Sequence, residues 1–292
     1  MATRVAAGPT VARGAAGQVL FPRRALGNTL AYIALAAGGL LIVFPFVWML
    51  ATSLKGPREI FELHFWPQLP TLDNFRRVLT TTQFPRWFVN SFVIAAVTTG
   101  SVAFFDSLTG YTLAKLRFPG RRVIFIIILS TLMIPTEMLV IPWYTMSVRL
   151  GWIDTYWGIM FPGLTSAFGV FLMRQFMTGV PDELLDAARI DGLSEFGLFV
   201  RIALPLVRPA LAALCIFTFL GNWNAFIWPL IVIQTPAMRT LPVGIALFSG
   251  EAGSAWHLIM AASSLAVLPV LAVFIILQRQ IIEGVVLTGL RG

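Results

Sequence analysis

An all-α polytopic membrane protein is the fold this sequence predicts, and three observations predict it. Of 292 residues, 58% are hydrophobic and only 12% charged, a balance far from that of soluble globular chains. Apolar runs recur at the length of about 20 residues that a helix needs to cross roughly 30 Å of hydrocarbon, where lipid offers the backbone no hydrogen-bond partner. The charged residues, most of them basic, gather in the intervals between those runs.

Six transmembrane helices are expected, near Leu30 to Leu50, Phe92 to Leu113, Val123 to Tyr144, Tyr156 to Met173, Leu211 to Ile233 and Leu258 to Leu277. The fourth is short and is interrupted by Pro162-Gly163. Pro45, Pro135, Pro142, Pro162, Pro229 and Pro269 all fall within spans and predict kinks. No internal repeat or low-complexity linker divides the chain, so residues 1–292 are expected to form a single transmembrane domain.

An even number of spans puts both termini on one face, and arginine placement indicates which. Arg4, Arg13, Arg23 and Arg24 precede the first span; Lys115, Arg117, Arg121 and Arg122 separate the second from the third. Arg174, Arg189, Arg201 and Arg208 separate the fourth from the fifth, and Arg279 and Arg291 follow the sixth. By the positive-inside rule a tail at residues 1–27, a loop at 174–209 and a tail at 281–292 face the cytoplasm of a multi-pass cell-membrane protein. The first outer loop is the exception, with Lys55, Arg58, Arg76, Arg77 and Arg86 partly balanced by Glu59, Glu62 and Asp73. The basic N-terminus runs into an apolar stretch too long for a signal-peptide core, which favours an uncleaved first span.

The net charge of +8 is spread over loops on both faces, so topology and lipid headgroups account for it better than nucleic acid does. A single cysteine, Cys215, excludes a disulfide within the chain. His64 and His257 have no spacing for a shared metal, and no serine occupies a G-x-S-x-G elbow. No G-x-x-x-x-G-K-[ST] loop is present to cradle a nucleotide phosphate. The chain is therefore not expected to be an enzyme or to hold a metal or cofactor; if ATP drives it, another polypeptide binds the ATP.

The interval 174–209 is the longest polar interruption on the inner face and reads as two short helices with a turn. Pro181 suits a first helical turn, and Asp182 and Glu183 put negative charge at the positive end of the helix dipole. Leu184, Leu185, Ala188 and Ile190 form an apolar face, and Gly192 offers the left-handed conformation that ends such a helix. Ser194 is an N-cap for a second helix running toward Leu204, with Pro205 at its boundary. Small Ala187 and Ala188 admit a close approach by another surface, to which Asp186 offers a charge.

Asp186-Ala187-Ala188, then Gly192, then Ile202, Leu204 and Pro205 resemble the pattern E-A-A-x3-G-x9-I-x-L-P of permease subunits in ATP-binding-cassette importers. Thr52-Ser53-Leu54-Lys55, Asn90-Ser91, Arg117-Phe118-Pro119-Gly120-Arg121, Ile134-Pro135, Ile141-Pro142, Trp223-Asn224 and Arg239-Thr240-Leu241-Pro242 extend the likeness. They narrow it to the carbohydrate-importer permeases typified by the maltose permease subunit MalG. The departures are Asp186 for the usual Glu, Ala225 where an acidic residue is common, and a loosely matching tail from Gly284 to Gly292. The resemblance implies a heterodimer with a second permease subunit, two ATPase subunits that hold ATP and Mg, and an external solute-binding protein. It also implies that Asp186, Ala187, Ala188, Arg189, Asp191, Gly192, Ile202, Leu204 and Pro205 couple the permease to the ATPase.

Polar residues inside spans are costly unless they face a cavity or a partner helix, which singles out Glu137 in the third span and Asn222, Trp223 and Asn224 in the fifth. Amides beside an indole face suit a sugar, whose hydroxyls surround a partly apolar ring. The same residues also fit helix-to-helix hydrogen bonding, as does Asp106. Two other classes of function stay open at this level: an ion-coupled secondary carrier of a small polar solute, and a membrane scaffold with no solute path.

Overall fold

The computed structural model describes residues 22–62, 64–250 and 253–289. The first 21 residues of the expected N-terminal tail and the last three of the C-terminal tail lie outside the described residues. Two compact units are distinguished, Met1–Trp48 and Met49–Gly292. Helix α1 (Pro22–Ser53) holds the first expected span, with Pro45 inside it. Within the first unit the rings of Phe44 and Trp48 lie 6.2 Å apart.

The second unit continues through α2 (Asp73–Thr81), α3 (Phe84–Lys115), α4 (Arg121–Thr131), α5 (Val140–Arg149), α6 (Tyr156–Met160) and α7 (Ala167–Thr178). It then runs through α8 (Asp182–Ile190), α9 (Glu195–Leu198), α10 (Leu204–Leu206) and α11 (Arg208–Trp223). It closes with α12 (Ile227–Val232), α13 (Leu241–Ala246) and α14 (Trp256–Gly289). Among the described residues the β-structure is one antiparallel pairing of Ser249–Gly250 with Gly253–Ser254.

Three helical stretches are each long and apolar enough to cross a membrane: Asn28–Ser53, Phe84–Lys115 and Trp256–Ile276. The count reaches six when each of three bent helix pairs is taken as one span, the last of them pairing Glu195–Leu206, from the polar loop, with Arg208–Trp223. The third does not run as one helix from Val123 to Tyr144: Arg121–Thr131 and Thr136–Arg149 meet at 91°. Pro135 explains this, because its ring clashes with the carbonyl of Thr131, four residues back, where α4 ends. The fourth bends by 44° between Gly163 and Ala167, with Ser166 capping the new helix through its hydroxyl. The fifth does not run from Leu211 to Ile233: α11 turns by 84° from the helical stretch that ends at Leu206, itself ends at Trp223, and α12 begins after three intervening residues. Pro229 falls in the first turn of α12, where its missing N–H would have no partner within the helix.

Helix α3 is the axis of the second unit, packing most extensively on α7 and α11. Gly110 permits the first contact, since a Cβ there would lie 2.7 Å from the Arg174 amide nitrogen. Four residues earlier, buried Asp106 accepts the Ser166 amide through Oδ2 at 3.0 Å, and Gly169 leaves room for its carboxylate. Asp106 is buried within the α3–α7 contact, so it joins the two helices rather than being presented to solute. At the other end of α3, Asn90 Nδ2 donates to Ala237 O (2.8 Å) and Arg239 O (2.9 Å), while Tyr156 donates to Asn90 Oδ1 (2.6 Å). Ser91 Oγ accepts the Leu241 amide at 2.7 Å, and Trp87 Nε1 donates to Pro236 O at 2.8 Å. Asn90-Ser91 thus pins the segment before α13 to α3.

Candidate functional site

The polar loop between α7 and α11 folds as the residue types require. Pro181 stands just before α8 with φ −60° and ψ 132°, and Asp182 and Glu183 occupy the first turn. At the other end Gly192 takes φ +89°. Leu193 N donates to Ala188 O at 3.1 Å, the long-range bond of a left-handed helix stop. Ser194 Oγ then accepts the Gly197 amide at 3.2 Å and starts α9. Pro205 is not the boundary of the second helix, because a π-helical turn at Phe199–Ala203 shifts the hydrogen-bond register and the helix continues to Leu206. The break falls at Val207, where α11 leaves at 84°.

The expected apolar face of α8 divides into two rows. Leu185 is buried and Ala188 half-buried, in one cluster with Tyr111, Met177, Val180, Leu198 and Phe199. Leu184 and Ala187 are exposed, and Ile190 is 87% exposed, so a second row three residues apart points away from the fold. Ile202, Leu204 and Pro205 are half-buried, and the first two pack on the same cluster. They set the position of the loop, and α8 carries its outward surface.

Charge pairing fixes α8 a second time. Arg189 Nη1 contacts Asp186 Oδ1 at 2.5 Å and its Nε donates to Glu195 Oε1 at 2.9 Å, tying α8 to α9. Tyr111 donates to Glu195 Oε2 at 3.3 Å, tying α9 to α3. The hydrogen bond to Glu195, with the charges of Glu195 and Asp186, raises the Arg189 pKa. Lys115, its side chain 7% exposed, donates to Val180 O at 2.5 Å and to Asp182 Oδ1 at 2.6 Å. That hydrogen bond and the ammonium charge hold the Asp182 carboxyl below the usual carboxylate range. Lys115, Asp182, Asp186, Arg189 and Glu195 line a polar cleft of about 430 Å³. The carboxylate of Asp186, expected to face a partner, is thus engaged by Arg189, while Asp191 stays exposed. Glu195 and Tyr111 complete the network and carry no motif signal; the turn at Gly192 folds α9 back beside α8 and brings Glu195 to Arg189, and Tyr111 reaches Glu195 from α3.

The four solute-path residues separate in the same way. Trp223 is buried: it stacks on Phe219 at 5.8 Å, meets Phe88 edge-on at 5.4 Å and donates to Ala266 O at 3.2 Å. It is a packing residue between α3, α11 and α14. Asn222 is half-buried and its Nδ2 donates to Thr218 O at 2.9 Å, within its own helix. Glu137 and Asn224, 87 positions apart in sequence, line one cavity of about 350 Å³ together with Trp143 and Trp228. Outside the membrane spans, Asp154 Oδ1 accepts the Gln234 and Thr235 amides at 2.9 and 3.0 Å. Burial pushes its carboxyl up, but these bonds outweigh that and hold it low.

Broken spans that border an open, largely apolar cavity carrying Glu137 and Asn224, with a braced polar loop at the opposite end of α11, fit a membrane component of a solute transport system. The family of binding-protein-dependent transport system inner membrane components matches residues 107–286. The arabinooligosaccharides transport system permease protein AraQ of Bacillus subtilis (strain 168) is 37% identical over 258 residues, covering 87% of this chain and 92% of that protein. The sn-glycerol-3-phosphate transport system permease protein UgpE of Pectobacterium atrosepticum is 36% identical over 276 residues, covering 90% of this chain and 97% of that protein. The fold matches the crystal structure of a bacterial transporter that imports the acidic polysaccharide alginate, with a TM-score of 0.80 at 22% identity, over 93% of this chain and 99% of that one. The chain belongs to the family of binding-protein-dependent transport system inner membrane components, and is the permease subunit of an importer.

Proposed function

We propose that this permease moves a carbohydrate or related solute across the cell membrane, driven by ATP hydrolysis on separate subunits. Its partners are a second permease subunit, two ATPase subunits that carry ATP and Mg, and an external solute-binding protein. Both termini and the loop at residues 174–209 lie on the cytoplasmic side, where the basic residues concentrate. The observation that carries the reading is the double-faced α8. Its Leu185–Ala188 row is locked into the permease core, and its Leu184–Ala187–Ile190 row is bare. A helix held so firmly on one side transmits a rigid-body displacement of whatever grips the other.

Reconstitution of the whole transporter in proteoliposomes tests this. Ile190→Asp and Ala187→Trp act on the outward row and are expected to abolish ATP-driven uptake while the permease still inserts. Normal uptake in both variants would remove the docking role. Bulk at Ala188 acts differently, since that residue faces the protein's own core and a larger side chain there displaces α8 from it.

A further inference from the structure

Two broken spans meet at the cavity that Glu137 and Asn224 share. Helix α4 contributes 11 residues from Arg121, a rise of ~16 Å, before the break that leads to Glu137. Helix α11 contributes 16 residues from Arg208, a rise of ~24 Å, before the break at Asn224. Both breaks fall short of the roughly 30 Å of hydrocarbon, where irregular backbone is tolerated only if it is buried in protein or lines a cavity. Glu137 is exposed and has no ion pair among the described residues, so a carboxylate stands at membrane depth without a partner in its own unit. Asn224 is exposed too; its Nδ2 donates to Leu220 O at 2.9 Å, which leaves its carbonyl oxygen available.

The wall beside these groups is aromatic and rigid. Trp143 and Trp228 meet edge to face at 5.7 Å, Phe161 meets Trp228 at 6.0 Å, and Trp228 Nε1 donates to Gly158 O at 3.0 Å. Hydroxyl donors are what an unpaired carboxylate and an amide oxygen accept, and the C–H face of a sugar ring is what an indole covers. Among the described residues Glu137 is the one ionisable group lining the cavity, so a phosphate or carboxylate on the solute would meet a like charge with no cation among them beside it. The volume of about 350 Å³ stands near the lower end of the roughly 300–1,000 Å³ typical of ligand sites, which suits a short glycan segment.

We infer that this cavity is a sugar-binding subsite of the translocation path, contributed by this subunit, and that it selects a neutral saccharide over an anionic solute. The inference rests on the importer reading above and specifies its solute. Glu137 and Asn224 accept sugar hydroxyls, and Trp143 and Trp228 form the apolar platform.

The test uses the complete transporter in proteoliposomes, offered labelled lactose, arabinotriose, maltotriose and sn-glycerol 3-phosphate in turn. ATP-driven uptake of at least one neutral sugar, without uptake of the phosphate, is expected. Glu137→Ala and Asn224→Ala should each raise the KM for that sugar roughly tenfold, and Glu137→Gln, which keeps an acceptor, should recover part of the loss. Uptake of the phosphate alone, uptake of no neutral probe, or a KM unmoved by both alanine variants overturns the assignment. Sugar uptake that persists without ATP overturns the importer reading instead, so the two failures are distinguishable.

Discussion

At the polar loop, Asp182, Lys115, Asp186, Arg189 and Glu195 are all paired and Leu185 is sealed into the core. At the helix breaks, Glu137 and Asn224 stand exposed, with hydrogen-bonding capacity that their own unit does not use. The loop is over-determined, as a part that transmits force must be, because a loosely held helix would absorb a push from outside. The breaks are under-determined, as a site that binds and releases a solute must be, because groups already satisfied at home have nothing to offer it. This contrast divides the effects of mutation: substitutions around the loop should change the folded protein or its coupling, and substitutions in the cavity should change solute affinity with little structural cost.

The largest expected effect lies in the packing beneath the loop. Gly110→Val places a Cβ against the backbone of Met173 and Arg174, which cannot move without shifting α7. Overpacking of this kind costs about 1–3 kcal/mol or more, and thermal unfolding of the detergent-solubilised permease should show it as a clear fall in Tm. Glu137→Ala, by comparison, should stay within about 0.5 kcal/mol of the parent, as exposed substitutions do. Equal losses in the two variants would erase the distinction between a braced region and an open one.

A smaller effect is expected from the charge network. Arg189→Ala removes the group that joins Asp186 to Glu195, while Leu185 and Ala188 keep α8 on the core. The Tm should hardly change, since exposed ion pairs add little to stability. ATP-driven uptake per ATP hydrolysed should fall by roughly threefold or more, in the range of substitutions along coupling elements. A drop in Tm without a change in that ratio would make the network a prop for folding and leave transmission to the apolar row alone.

Sequence carried the loop further than it carried the cavity, and the reason is the range over which each signal acts. Gly192, Ser194 and the charges of Asp182 and Glu183 act on backbone a few residues away, and each does in the structure what its type dictates. Ile202, Leu204 and Pro205 kept their spacing in the motif, yet spacing could not show that they are half-buried supports. The apolar runs marked the spans, but hydropathy is blind to a break inside a run, and Pro135 was read as a kink where the helix in fact ends. The meeting of Glu137 with Asn224 depends on both breaks at once, so no local pattern announces it. Trp223 was misplaced for a related reason: it adjoins Asn224 in sequence, but one lies inside the helix and the other at its cap, and they face different surroundings.

The smallest effect separates charge from packing within the braced region. Lys115 donates to both Asp182 and the Val180 carbonyl, so Asp182→Asn removes one partner and leaves the ammonium the other. Because the Asp182 pKa is lowered in the folded protein, by the hydrogen bond and charge of Lys115, the stabilisation is fully present above the ordinary carboxylate value of about 3.9. It is lost as pH falls through the lower, folded-state value. The difference in Tm between the parent and Asp182→Asn should therefore be small and flat from neutral pH to about pH 5, and should shrink only below the ordinary carboxylate range. High salt should shrink it as well, since the carboxylate is exposed. Lys115→Met loses the Val180 contact too and should lower Tm further at every pH. If the Asn and Met variants prove equal, the Asp182 pair rather than the buried carbonyl contact anchors the start of α8, and the brace is more electrostatic than its burial implies.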